Sequence, residues 1–167
     1  MRRIVCFHNP EEVNGYLSNW FLSDFMKAGI AFSSMEQYMM YRKAELFHDL
    51  ETASQILMTS NVGKIKALGR SVQHYDDLIW SGMRQVLVYE GLLEKFRQND
   101  ILRDKLLGTQ QDILAECAVQ DRIWGIGLSM RDEKRFEIEA WRGQNLLGFT
   151  LMLVRDKLVR DQTIQLA

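Results

Sequence analysis

Apolar and polar positions divide the chain into a mixed N-terminal part, a long helical middle and a C-terminal part that closes on one more helix. A short apolar run, Ile4–Phe7, opens the chain. Up to Phe32, turn-forming stretches such as NPEEVNG alternate with brief apolar pieces such as IAF, which predicts small strands and loops. Helical periodicity begins at Ser33 with SSMEQYMMYRKAELF, followed by ETASQILMTS and VGKIKALGRSV as two short helices parted near Asn61 and Gly63. A longer helix is predicted over residues 76–98, with Ile79, Met83, Val86, Leu87, Glu90 and Leu93 at helical spacing. Asn99 reads as the N-cap of the next short helix, DILRDKLL, which Gly108 closes.

From Asp112 the character changes. ILAECA and RIWGIGLS read as two strands about a turn at VQDR, and MRDEKRFEIE as a solvated loop. The last segment, NLLGFTLMLVRDKLV, is a helix that buries Leu147, Leu151, Val154 and Leu158. The sum is an α+β fold, mostly α, in a single domain over residues 1–167: Pro10 is the one proline, and no low-complexity linker interrupts the chain.

Composition narrows the function classes. A hydrophobic content of 47% over 167 residues suffices for a buried core. A net charge of -1 gives no basic footprint for general nucleic-acid or membrane-surface binding. Cys6 and Cys117 lack metal-ligand spacing and read as buried thiols. His8, His48 and His74 show no ligand pattern either, so neither a metal nor a cofactor is expected. The start, MRRIVCFHNPEE, is too short in apolar residues for a secretory signal, and no run approaches the ~20 apolar residues of a membrane span. A cytoplasmic protein is expected.

Within the first long helix, Ser33 and Glu36 have the spacing of a capping box. A carboxylate in the first turn also sits near the positive end of the helix dipole, which keeps it anionic and available for chemistry. The two roles are compatible. Seven residues return to within roughly 20° of the starting direction after a rise of about 10 Å, so Glu36, Met40 and Lys43 share one stripe with room for a sugar between its charged ends. Taken alone, Lys43 reads more readily as a solvated lysine than as a site residue.

YLSNWF, FSSMEQYMMYRKA, ALGRSV, DDLIW, DRIWGIGL and WRGQNLLG occur here in the order and approximate spacing of the YbiA-like, or NADAR, family, and the chain resembles that family from about Phe7 to Leu158. The resemblance implies an N-glycosidase that cleaves the bond from nitrogen to the anomeric carbon of ribose. Its substrates would be phosphorylated ribosylaminopyrimidine intermediates of riboflavin synthesis. The alternatives are removal of ADP-ribose from guanine and a non-catalytic ADP-ribose- or nucleotide-binding module. The partner is thus a small phosphorylated N-riboside or ADP-ribosyl compound, with nucleic acid involved only if ADP-ribosylated guanine is the substrate.

Glu36 matches the family's motif glutamate and would support an oxocarbenium-like transition state or activate water. Gln37 stands where many relatives carry histidine. Lys43 matches a lysine thought in some members to open the sugar as a Schiff base, which requires a lowered pKa. Asp121 would orient a ribose hydroxyl or the water, or else cap its own turn. On the predicted strand, Gly125 and Gly127 would let a ligand approach the backbone or relieve crowding, with Trp124 on the opposite face. Arg142 and the free amides at the start of the last helix are expected to hold phosphate, with Asn145 orienting. Ser18 and Asn19 would line the sugar site, Trp80 would stack on the base or fill the core, and Arg70 would contact phosphate.

Overall fold

The computed structural model describes residues 2–165. In chain order its elements are β1 (Ile4–Phe7), β2 (Leu22–Lys27), β3 (Ile30–Ser34), α1 (Met35–Leu46), α2 (Leu50–Leu57), α3 (Val62–Arg70), α4 (Asp77–Gln98), α5 (Asp100–Gly108), β4 (Ile113–Glu116) and α6 (Leu146–Gln165). Short 3-10 turns lie at Gly15–Leu17, Glu133–Phe136 and Ile138–Ala140. This is the mostly helical α+β class that the pattern predicts. The chain forms two compact units: the segment up to Ser18 joins everything from Asp100 onward, and residues 19–99 form the other.

In the 19–99 unit, β2 and β3 pair antiparallel around a tight turn where Ala28 and Gly29 both take positive φ, 52° and 80°. The turn is short because two left-handed residues match the twist of the flanking strands. Phe25 and Phe32 from the hairpin stack with Tyr38 of α1, the Phe32 and Tyr38 rings meeting edge to face at 5.1 Å. Helix α1 packs on α2, α3 and α4. Gly91 makes the α1–α4 crossing close, since any Cβ there would collide with the Tyr38 ring.

Sequence and structure part at two points here. The N-cap of α1 is Ser34, not Ser33: its Oγ accepts from Gln37 N at 3.1 Å. The capping partner three residues on is therefore Gln37 rather than Glu36. Gln37 Oε1 accepts from Ser33 N at 2.7 Å, while its Nε2 donates to the carbonyls of Ile56 and Thr59 at 3.0 and 2.9 Å. On α4 the predicted apolar face is largely solvent-facing: Ile79, Met83 and Val86 are exposed, and the buried side runs through Trp80, Arg84, Leu87, Val88, Gly91 and Leu92. Two adjacent apolar stripes satisfy the same helical period, and packing against α1 selects the one containing Gly91. Asn99 does not cap α5 through its side chain. Its Nδ2 donates back to Lys95 O at 2.8 Å and to Asp24 O at 3.1 Å.

In the other unit β1 and β4 pair in parallel, Ile4 with Ile113 through Phe7 with Glu116. Helix α6 covers β4 and buries Leu147, Leu151, Val154 and Leu158, the predicted spacing. Cys6 and Cys117 are buried free thiols in a cluster with Ala115, Ile126 and Leu128. RIWGIGLS forms no strand, and MRDEKRFEIE is not a plain loop but carries the turn Glu133–Phe136. The strand expectation fails because the carbonyls of residues 122–125 are taken by the start of α6: Gln144, Asn145, Leu146 and Leu147 donate their N–H groups to Arg122, Gly125, Ile123 and Trp124.

Gln37→Leu would leave Ser33 N and the carbonyls of Ile56 and Thr59 without their partner. Urea unfolding should then show a loss of about 2–4 kcal/mol with the helical spectrum retained. A loss below about 0.5 kcal/mol would show that these bonds do not hold α1 in place.

Candidate active site

The chemistry-bearing residues of the 19–99 unit gather along α1 and the start of α4. Glu36, the second residue of α1, is 3% exposed, and its backbone N–H donates to Asn19 O at 2.8 Å. That bond brings the two family-motif segments together. The Asn19 side chain is also buried, and its Oδ1 has no hydrogen-bond partner among the described residues. An amide oxygen in that condition is ready to accept from a ligand hydroxyl.

Two turns along α1, Lys43 is half-buried. Its Nζ donates to Gly69 O in the last turn of α3 at 2.7 Å and stands 4.3 Å from the Tyr75 ring centre and 5.9 Å from that of Trp80. Burial pulls the Lys43 ammonium below the ordinary lysine pKa. The helix C-terminal carbonyl and the two ring faces hold it in the opposite sense, as an oriented cation. Gly69 allows this approach because α1 and α3 meet there without a side chain between them: a Cβ on Gly69 would collide with the Met40 side chain. Trp80 is buried and faces Lys43, so its ring is both core and site wall. Arg70, next to Gly69, is exposed at the end of α3.

The remaining expected residues belong to the other unit. Ser18 is buried, with its N–H on Gly15 O. Asp121 Oδ1 accepts from Ile123 N at 3.0 Å and Trp124 N at 2.9 Å, an Asx turn of the kind its position allows. Gly125 and Gly127 lie against the protein's own chain: a Cβ on Gly125 would sit 2.8 Å from Asp121 O, and Gly127, at φ +73°, lies beside the Arg142 backbone. Trp124 is half-buried. Asn145 is fully buried, with Oδ1 accepting from Glu116 N at 3.0 Å and Nδ2 donating to Leu114 O at 2.8 Å, so its amide fastens β4 to α6. Arg142 is exposed. The amides of residues 144–147 are not free for phosphate, because backbone carbonyls already accept from them.

The sequence did not single out Tyr75 or Arg84. Tyr75 follows no pattern, since it reaches Lys43 from an irregular segment between α3 and α4. Arg84 is legible afterwards as the residue one helical turn beyond Trp80.

Comparison with known proteins agrees with this layout. The NADAR domain matches residues 6–159. The N-glycosidase R617 of Acanthamoeba polyphaga mimivirus is 39% identical over 163 residues, covering 93% of this chain and 96% of that protein. The riboflavin biosynthesis protein VVA0006 of Vibrio vulnificus is 28% identical, with 95% of this chain matching 39% of that longer protein. The solution structure of YbiA from E. coli superposes with a TM-score of 0.81 at 24% identity, covering 98% of this chain and 89% of that one, which establishes a shared fold. With its fold, its motif glutamate and lysine on one helix, and a domain match over nearly its whole length, the chain belongs to the NADAR family.

Proposed function

We propose that this protein is an N-glycosidase that hydrolyses the bond between nitrogen and the anomeric carbon of a phosphorylated ribosylaminopyrimidine. The observation that carries this reading is the buried Glu36. This carboxylate is 3% exposed in the first turn of α1, where the helix cap itself is made by Ser34 and Gln37. That R617 is an N-glycosidase and VVA0006 a riboflavin biosynthesis protein supports this choice of bond and of substrate class.

In this reading the bond from C1′ to nitrogen stretches first, and positive charge builds on the ribose. Glu36, in the first turn of α1, offsets that charge as a carboxylate and accepts a proton from the attacking water. The water oxygen bonds to C1′, the nitrogen leaves as the aminopyrimidine with a proton, and ribose 5-phosphate remains. Asn19 Oδ1 accepts from a sugar hydroxyl beside Glu36. Lys43, about 10 Å along the same stripe, bounds the far end of the sugar. In a covalent variant its neutral amine attacks C1′ and the aminopyrimidine leaves carrying a proton; the C1′–O4′ bond then opens, O4′ taking the remaining amine proton, to give an imine that water hydrolyses to ribose 5-phosphate and free lysine.

Three outcomes follow. Mass spectrometry of the purified protein with phosphorylated ribosylaminopyrimidine should show release of ribose 5-phosphate, unaffected by a strong chelator. Turnover of ADP-ribosylated guanine alone would move the reading to that substrate. Glu36→Gln should change stability by about 1 kcal/mol or less and lower turnover by about 100-fold or more. A folded variant at near-native rate would remove Glu36 from the chemistry. Borohydride added during turnover should trap a ribosyl adduct on Lys43 if the covalent route operates, whereas an active Lys43→Arg protein with nothing trapped would leave water as the nucleophile.

A further inference from the structure

Arg84 is a buried cation without a counter-charge. It lies on the packed side of α4, one helical turn beyond Trp80, and is 9% exposed. Among the described residues it makes no hydrogen bond or ion pair, and its Nε is sealed from solvent with no acceptor. Arg42 and Arg155, whose Nε atoms are likewise without a hydrogen bond, find acceptors through Nη1. Arg42 meets the Tyr38 hydroxyl at 2.8 Å and Glu90 at 3.3 Å, and Arg155 donates to Thr109 Oγ1 at 2.7 Å and Asp112 O at 3.0 Å. A guanidinium cannot escape the cost of burial by losing its proton. An arginine in such a place destabilises the free protein until an anion arrives.

The surroundings indicate which anion. Trp80 and Arg84 are side by side on one face of α4, and the Trp80 ring faces Lys43 Nζ. The Tyr75 ring lies against the same ammonium, its centre 4.3 Å from Lys43 Nζ. Lys43 and two aromatic rings thus meet at one end of the α1 stripe, and Arg84 follows one helical turn beyond Trp80 on the buried side of α4. A planar five-donor fork suits the tetrahedral oxygens of a phosphate monoester.

We infer that Arg84 is the phosphate-binding residue of this site and fixes the 5′-phosphate of the substrate, in place of Arg70 and Arg142, which are both exposed. The identity of the phosphate's owner rests on the N-riboside reading; the anion site itself does not.

Calorimetric titration with ribose 5-phosphate and with ribose, on wild type, Arg84→Met and Arg84→Lys, tests this together with the thermal midpoint. Arg84→Met should weaken ribose 5-phosphate binding by about 10- to 100-fold, the worth of a charged hydrogen bond, and Arg84→Lys by less. The preference for ribose 5-phosphate over ribose should collapse toward one in Arg84→Met. Its midpoint without ligand should equal or exceed that of wild type, because an unpaired buried charge is gone. Undiminished ribose 5-phosphate binding by Arg84→Met would overturn the inference. So would equal losses for ribose and its phosphate, a wild type that does not bind ribose 5-phosphate, or an Arg84→Met protein that is less stable or fails to fold. Arg84-dependent binding in a protein that hydrolyses no riboside keeps the anion site and rejects the proposed activity. Hydrolysis with phosphate binding indifferent to Arg84 does the reverse.

Discussion

The side chain of Gln37 is the joint on which the 19–99 unit depends. Its amide oxygen accepts from Ser33 at the entry of α1, and its amide nitrogen donates to two carbonyls at the end of α2, so one buried group ties strand, helix start and second helix together. Gln37 and Ser34 make the cap of the first turn, and the neighbouring Glu36 is buried beside them. Gln37 gives the first turn of α1 a fixed support next to Glu36.

From that start, α1 runs as a ruler. Tyr38 meets the glycine gap at Gly91, Met40 fills the gap left at Gly69, and Lys43 emerges between the C-terminal carbonyl of α3 and the rings of Tyr75 and Trp80. The two glycines bring three helices close enough for a lysine to be half-buried and still hydrogen-bonded. Burial lowers its pKa while the carbonyl orients it, which gives a group able to act as a positioned cation or, deprotonated, as an amine. A half-buried lysine stands two turns along α1 from the buried carboxylate of Glu36.

In the other unit, segment 121–147 shows how a fingerprint can be structural in its details. The carbonyls of residues 122–125 receive the first amides of α6, Asp121 closes its own turn, and the Asn145 amide holds β4. The glycines let two backbone stretches lie against each other. DRIWGIGL and WRGQNLLG meet as a backbone interlock in which Asp121, Gly125, Gly127 and Asn145 take part.

The sequence by itself determined the elements whose signal is local. Helix α1, the breaks near Asn61, the extent of α4 and the buried stripe Leu147, Leu151, Val154 and Leu158 of α6 follow from spacing and caps within one segment. It also placed Glu36 and Lys43 on one stripe, since helical geometry needs no partner. Tertiary structure decided what depends on a neighbour. Ser33 and Ser34 are equally good caps in isolation, and the acceptors on Ile56 and Thr59 favour the register that uses Gln37. Both stripes of α4 repeat with the same period, and the fit of Gly91 against Tyr38 turned one inward, burying Arg84 with it. Whether the amides at the start of α6 were free depended on carbonyls about 20 residues upstream, contacts that no local pattern encodes.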